Sequence, residues 1–405
     1  MRLVYKFNVK YNERLYELCK ISKNLYNQAL YILKQELKTN NKWLSYYDLD
    51  RILRTYINLE GTINYRLLRA QVSQQCLKTL DKNIKSYVKS IKDYSKNKSK
   101  YNGCPKFPHY KKEVNQLIYP NQSCSIKNRR LYLSKDFSIR IPQFDVYGER
   151  LKSFQQVRVI PKHNKSFVIE IVYIDDSTSN SDLNYDLYSS IDLGIDNLAT
   201  IIFPNSNPIL FNGKQLKSKN QYFNKTISDL KSKLNHNAYS SNRIKNLYLK
   251  RENQLTDIFH KLSRMIINNL INHNIGNLVV GYNKGWKDFI NIGKRNNQTF
   301  CYISYDKLLN FLKYKCEMAG IKLTIHEESY SSKCDGIVLE PIKKHDVYSG
   351  KRIKRGLFQS SCGKLINADV NGSLNILRKV VGDSLFIKEI IDSGWLFQPL
   401  QVNIL

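Results

Sequence analysis

At 405 residues the chain is long enough for two or three domains, each with a core of its own. Its 65 Lys and Arg outnumber 34 Asp and Glu, and the net charge of +31 points to a phosphate-bearing partner rather than to a small-molecule housekeeping enzyme. Abundant Lys, Asn, Ile and Tyr also fit an AT-rich genome, but that bias alone would not deplete acids. The eight cysteines form no C-x-x-C pair and read as reduced, mostly buried thiols of a prokaryotic cytoplasmic protein; no apolar run reaches the length of a membrane span.

Residues 1–10 alternate as a strand rather than as a secretory leader. Leu15, Leu18, Leu25, Ala29, Ile32 and Leu33 recur at helical spacing and predict a helix over 13–38. A second stripe of Leu68, Val72, Leu80, Ile84, Val88 and Ile91 predicts one over 64–95, with Lys78, Lys82, Lys85 and Lys89 on a solvated face. From Tyr101 the texture changes: Gly103 to Lys112 breaks the helix and mixes rings with cations, including Lys106, Lys111 and Lys112. Short strands follow at 116–119, 130–133, 138–141, 156–160 and 166–174, the spacing of a small barrel that the N-terminal strand can join. Ser177–Asp186 reads as a polar linker.

A new domain opens near Tyr188 with strands at 188–193, 198–203 and 208–212. Helices over 217–234 and 241–273 follow, then a strand at 277–281, a helix at 304–319, a strand at 321–326 and a helix at 370–380. This order predicts an RNase H-like mixed sheet with helices on its faces.

Three acids stand out against the charge excess. Asp192 closes an apolar strand before Gly194, Asp369 opens the last long helix, and Glu327-Glu328 follow the strand at 321–326. An acid in apolar surroundings is costly to bury unless a cation meets it. Carboxylates at one end of neighbouring strands can share two divalent ions, Mg²⁺ or Mn²⁺, about 4 Å apart, the arrangement that hydrolyses phosphodiesters. Glu328 is favoured over Glu327 as the third acid. The plainer alternatives are that Asp369 only caps its helix and that both glutamates are solvated strand-end residues.

The stretch Ile191-Asp192-Leu193-Gly194-Ile195-Asp196-Asn197-Leu198-Ala199 resembles the first RuvC motif of the TnpB family, the OrfB proteins of insertion sequences related to type V CRISPR effectors. Ala368-Asp369-Val370-Asn371-Gly372-Ser373-Leu374-Asn375-Ile376 is similar to its third motif, Pro105-Lys106-Phe107 to its Pro-x-Phe-Lys segment, and Phe259-His260-Lys261-Leu262-Ser263 to its long-helix signature. The resemblance implies an RNA-guided DNA endonuclease with guide RNA and double-stranded target DNA as partners, one protein copy per guide RNA, and Asp192, Glu328 and Asp369 as catalytic metal ligands. It implies a wedge β-barrel (1–10 and 101–180) holding a helical recognition lobe (11–100). A RuvC-like nuclease domain (187–330 and 363–385), a zinc-ribbon-like basic hairpin (331–362) and a C-terminal tail (386–405) complete the layout.

Two departures from the family pattern matter. Leu278-Val279-Val280 leads into Gly281 where the family usually has a glutamate, and Glu328-Ser329-Tyr330-Ser331-Ser332-Lys333 fits a rearranged form in which the acid follows the next strand. Only Cys334 and Cys362 remain of two C-x-x-C pairs, and with His345 they make a poor tetrahedral set, so structural zinc is not expected. The cations between them, Arg352 and Arg355 among them, are expected to face nucleic acid.

The other candidate nucleic-acid contacts are Lys284 and Lys287, near Trp286 and ahead of Lys294-Arg295. Arg, Asn and Gln within 46–54 and 65–75 suit base edges, and Tyr101, Phe107, Tyr110 and Trp286 suit stacking or core packing. The competing reading is a nuclease-inactive RNA-guided repressor. A single-strand transposase of the Tyr type would need a His-x-His pair, which none of the seven histidines provides. An unguided junction resolvase would lack the helical lobe.

Overall fold

The computed structural model describes residues 1–175, 182–235, 238–283 and 303–404. The chain divides into two compact units, Met1–Asp176 and Ser177–Leu405.

In the first unit, β1 (Arg2–Val9) leads into α1 (Glu13–Thr39), whose start is fixed by Asn12 accepting from the Leu15 amide. α2 (Tyr46–Leu53) begins in a capping box between Ser45 and Asp48, a signal too short to stand out in the periodicity. α3 (Ala70–Lys96) starts later than its apolar pattern suggests, because Asn64–Leu67 form a separate 3-10 turn and Arg69 is extended. The buried residues of α1 and α3 pack with the strands into one core.

β2 (Leu117–Pro120), β6 (Phe154–Pro161) and β7 (Phe167–Ile174) join β1 in an antiparallel sheet of order β1-β7-β6-β2. β3 (Ser125–Lys127), β4 (Arg130–Ser134) and β5 (Phe137–Arg140) form a second, separate sheet ahead of the short α4 (Phe144–Tyr147). The N-terminal strand thus enters the sheet as expected, Tyr5 opposite Ile171. Among the described residues no ladder joins β2 to β1 to close a ring.

The second unit is a mixed α/β layer structure. β8 (Asn184–Asp192), β9 (Asn197–Phe203) and β10 (Ser206–Asn212) form an antiparallel meander, β8 against β9 and β9 against β10. α5 (Lys214–Ser232) and α6 (Asn242–Asn272) follow, then β11 (Ile275–Gly281), α7 (Tyr305–Ala319) and β12 (Lys322–His326). β11 lies parallel to both β8 and β12, and the sheet order is β12-β11-β8-β9-β10, extended by a last strand beside β10. That strand, β16 (Leu400–Asn403), pairs parallel to β10. The residues expected as a tail are therefore part of the sheet and its flanking helix.

Every residue of β11 is buried, as a central parallel strand requires. Alternation then sorts the core into two layers. Leu278 and Val280 pack with α6 and α7, whereas Val279 packs with α8 (Ala368–Val381) and α9 (Leu385–Asp392). Between β12 and α8 lie a long looped segment and a small sheet of β13 (Lys351–Lys354), β14 (Leu357–Gln359) and β15 (Leu365–Asn367). Among the described residues no helix is long and apolar enough to cross a membrane.

Leu278 is fully buried at the centre of this unit. Leu278→Ala should lower the unfolding free energy by about 2–5 kcal/mol, the range for a buried leucine that leaves a cavity; urea titration followed by far-UV circular dichroism measures it.

Candidate carboxylate site at the end of the central sheet

Because β8, β11 and β12 are parallel, their C-terminal ends share one edge of the sheet. Ile191 is level with Val280, and Gly281 with His326. Asp192, the last residue of β8, thus stands beside Gly281 at the mouth of the sheet. Helix α8 closes this edge. Ser190 Oγ donates to the Ser373 carbonyl at 2.6 Å, and Ser373 Oγ donates back to the Ser190 carbonyl at 3.0 Å, both fully buried. The approach requires Gly372, since a Cβ there would fall 2.7 Å from Asp192 Oδ2.

Asp369 lies in the first turn of α8, yet it does not cap the helix. Asn367 takes that role and accepts from the amides of Asp369 and Val370. The Asp369 carboxylate is left free to turn outward, where it accepts from Asn197 Nδ2 at 2.7 Å and lies 3.6 Å from the Arg352 guanidinium. Asn197 is held by the turn after β8, which Tyr305 pins by donating from its hydroxyl to the Gly194 carbonyl at 2.6 Å.

The two neighbouring glutamates part company. Glu327 is exposed, pairs with Lys379 at 2.8 Å and accepts from the Ser329 amide at 2.6 Å. Burial pushes its pKa up, but the Lys379 and Ser329 bonds outweigh this and hold it below the usual value. Glu328 turns inward. Its amide donates to Asn283 Oδ1, and its Oε2 is buried without a hydrogen-bond partner. A Cβ placed on Gly281 would lie 2.8 Å from that same oxygen. Ile376 lies closer still to that position, so Ile376 from α8 and the carboxylate from beyond β12 together occupy the space beside Gly281.

Burial pushes the Asp192 carboxyl well above the usual aspartate value, and the nearby charges of Asp369 and Glu328 push it further. Arg352 and the Leu193 amide oppose the rise only in part. Glu328 is raised to about 7, by burial first and then by Glu327. The Tyr305 phenol is pushed up by burial and by Asp192 and Glu328. Asp192, Glu328 and Asp369 are thus electrostatic neighbours. Among the described residues, however, no three His, Cys, Asp or Glu groups are gathered closely enough to hold an ion. Like charges resist closer approach, and Asp369 is turned aside toward Asn197 and Arg352.

Arg355 pairs with Asp196, which Lys217 also holds at 3.0 Å, so the β13–β14 hairpin docks two arginines on the acids around β8. Lys106, Lys111 and Lys112 are exposed in the other unit. Asn27 fixes the Lys111 backbone through a reciprocal pair of hydrogen bonds at 2.9 and 2.7 Å. Lys284 and Lys287, with Trp286, Lys294 and Arg295, lie outside the described residues. Phe107 meets Tyr87 edge-on, Tyr101 donates to Asp93, and Tyr110 is the exposed ring, with Lys34 Nζ 4.4 Å from its centroid. Sequence reasoning missed the roles of Asn197 and Tyr305, and it assigned Arg352 to nucleic acid without its link to Asp369.

The segment between Cys334 and Cys362 is held by hydrogen bonds. Buried Asp335 accepts from Ser360 Oγ, from the Ser361 amide and from the Ile337 amide. Glu340 accepts from the amides of Asp335 and Ser349, while Asn371 and Asn375 reach from α8 to the Cys334 carbonyl. Cys334 is buried, Cys362 is exposed beside Ser360, and His345 contacts the Pro341 carbonyl.

The raised pKa of Glu328 carries a pH dependence. Between the usual glutamate value of 4.5 and about 7, the native chain holds a proton that the unfolded chain has lost. In the absence of divalent ions, stability should therefore fall as pH rises through that window, by up to about 3 kcal/mol. Asp192 contributes in the same sense, so Glu328→Gln should reduce the fall without abolishing it. Urea titrations across the window test this; an unchanged slope in the variant would contradict the burial of Glu328.

Residues 177–287 match the OrfB family model of insertion sequence IS605, described as a probable transposase. Residues 305–376, which include Glu328 and Asp369, match the Cas12f1-like TNB domain. The TnpB-like protein ORF457 of Acidianus two-tailed virus is 26% identical over 205 residues, covering 48% of this chain and 42% of that one, so the match spans less than half of the curated relative. Among solved structures, the mini-RNA-guided endonuclease CRISPR-Cas phi3 aligns with a TM-score of 0.54 at 11% identity, over 95% of this chain and 93% of that one, a likeness of fold alone. One segment of this chain is thus similar to the OrfB family, a second to the Cas12f1-like TNB domain, and part of it to a TnpB-like viral protein.

Proposed function

We propose that the chain is an RNA-guided DNA endonuclease associated with an insertion sequence, and that Asp192, Glu328 and Asp369 are its catalytic acids. The observation that carries this reading is the Glu328 carboxylate, buried and unpartnered in the space beside Gly281 and next to Asp192. The strand order β12-β11-β8-β9-β10, with three antiparallel strands followed by two parallel ones, supports a RuvC-like assignment within the RNase H-like class.

The donor chemistry fits a hard divalent cation. The charges of Asp369 and Glu328 raise the proton affinity of Asp192, a strain that positive charge relieves, and oxygen donors suit Mg²⁺ or Mn²⁺. Such ions, when bound, would supply water activation and stabilisation of the leaving oxygen in phosphodiester hydrolysis. Asp192 and Glu328 would bind from the sheet edge and Asp369 from α8. Asn197 orients Asp369, and Tyr305 orients the turn that carries Asn197. The exposed hairpin cations, Arg352 and Arg355 with Lys351 and Lys354, would meet phosphates.

In the first unit, the sheet of β1, β2, β6 and β7 with α1–α3 inserted after β1 would serve as wedge and recognition lobe, with Lys106, Lys111 and Lys112 on the nucleic-acid side. Guide RNA would carry sequence choice by pairing with one strand of the target duplex, one protein copy per guide. A second reading, a nuclease-inactive guided repressor, is favoured by the turn of Asp369 away from the other acids toward Arg352.

The test uses the full chain with its copurifying RNA and a matched target plasmid. Asp192→Ala, Glu328→Ala and Asp369→Ala should each lower divalent-dependent cutting by more than about 100-fold, and Asn197→Ala by about 10–100-fold, the loss typical of a residue that orients a ligand. RNA retention should be unchanged, and Glu327→Ala should stay active. Wild-type protein that binds target without cutting it, indistinguishable from Asp192→Ala, would establish the repressor instead.

A further inference from the structure

Arg352 stands apart from the other hairpin cations. It projects from β13, whose four residues are all exposed, and reaches back to Asp369. Among the described residues it is the cation paired with that acid, and its charge also opposes the upward shift of Asp192. Its neighbour Arg355 differs in kind, because it pairs with Asp196, an acid outside the trio that Lys217 already neutralises.

We propose that Arg352 is a resident counter-cation of the acid cluster that competes with the divalent ion for Asp369. The inference rests on the reading of Asp192, Glu328 and Asp369 as ion ligands, and it adds a residue that sets how much ion they need. The physical basis is charge and reach. Three carboxylates at one sheet edge repel one another, and a guanidinium on a flexible stem lessens that repulsion until a metal arrives. The pair is built to yield: the Arg352 side chain is 49% exposed against 27% for Asp369, and the contact is a loose 3.6 Å. A half-exposed pair of that geometry is weak. A divalent ion held by two or three carboxylates would displace it, with Asp369 released from Arg352 to join Asp192 and Glu328 as ligands. The open arrangement of the three acids is the Arg352-bound form of the cluster.

Mn²⁺ binding to the full chain, read as free Mn²⁺ by electron paramagnetic resonance without target DNA, tests this apart from cleavage. Arg352→Gln should tighten Mn²⁺ binding by about 2–5-fold, as loss of a weak competing pair implies. Arg352→Lys should remain near wild type. Arg355→Gln removes the same charge one turn of the hairpin away and should have a distinctly smaller effect. In an Asp369→Asn background, Arg352→Gln should change nothing, because the contested carboxylate is gone.

Equal Mn²⁺ affinity in wild type and Arg352→Gln would overturn the competition while leaving the ion site standing. Equal tightening by Arg352→Gln and Arg355→Gln would also overturn it, leaving only a general effect of net charge. No Mn²⁺ bound by wild type, Arg352→Gln or Asp369→Asn would overturn both the competition and the metal reading beneath it.

Discussion

The site depends on how closely α8 can press against the end of β8. The reciprocal Ser190–Ser373 hydrogen bonds draw the helix in, and Gly372 removes the one atom that would strike the Asp192 carboxylate. This contact brings an acid from the helix and an acid from the strand to the same edge, although 177 positions separate them in the chain. It also buries Asp192, whose preference for its proton follows from that burial and from its acidic neighbours.

Moving an acid from one strand to the next is feasible because the two strands are parallel and adjacent. β11 and β12 end level with one another, and a glutamate two residues past the end of β12 can reach back across about one interstrand spacing. A side chain at Gly281 would meet Ile376 first and then the Glu328 carboxylate. The buried Oε2 without a hydrogen-bond partner is expensive in a folded protein.

Hydrogen bonds also organise the segment before α8. The loops between β12 and α8 are secured by Asp335 and Glu340, each accepting backbone amides, and by Asn371, Asn375 and Arg378 reaching from the helix. Buried carboxylates saturated by amide donors are stable in water-poor surroundings. The hairpin that carries Arg352 and Arg355 is therefore anchored to the same helix that supplies Asp369. Positioning of the basic hairpin and of the acid site have become one structural problem.

Much of this was legible in the amino-acid order. The long stripes of α1 and α6, the apolar run of β11 and the acids Asp192 and Asp369 follow from local periodicity, because burial on one face repeats with the geometry of the element itself. Composition set the charge, and the glutamate pair after β12 was recognisable as a reserve of carboxylates. The preference for Glu328 over Glu327 comes from the resemblance and not from local pattern; in the fold the two differ because Lys379 pairs with Glu327 while Glu328 Oε2 is buried. Nor could local pattern place β16 beside β10, or foresee that Asn197 and Arg352 would converge on Asp369. Those outcomes rest on contacts between residues distant in the chain, and only the packing of sheet, helix and hairpin decides which side chains share a volume.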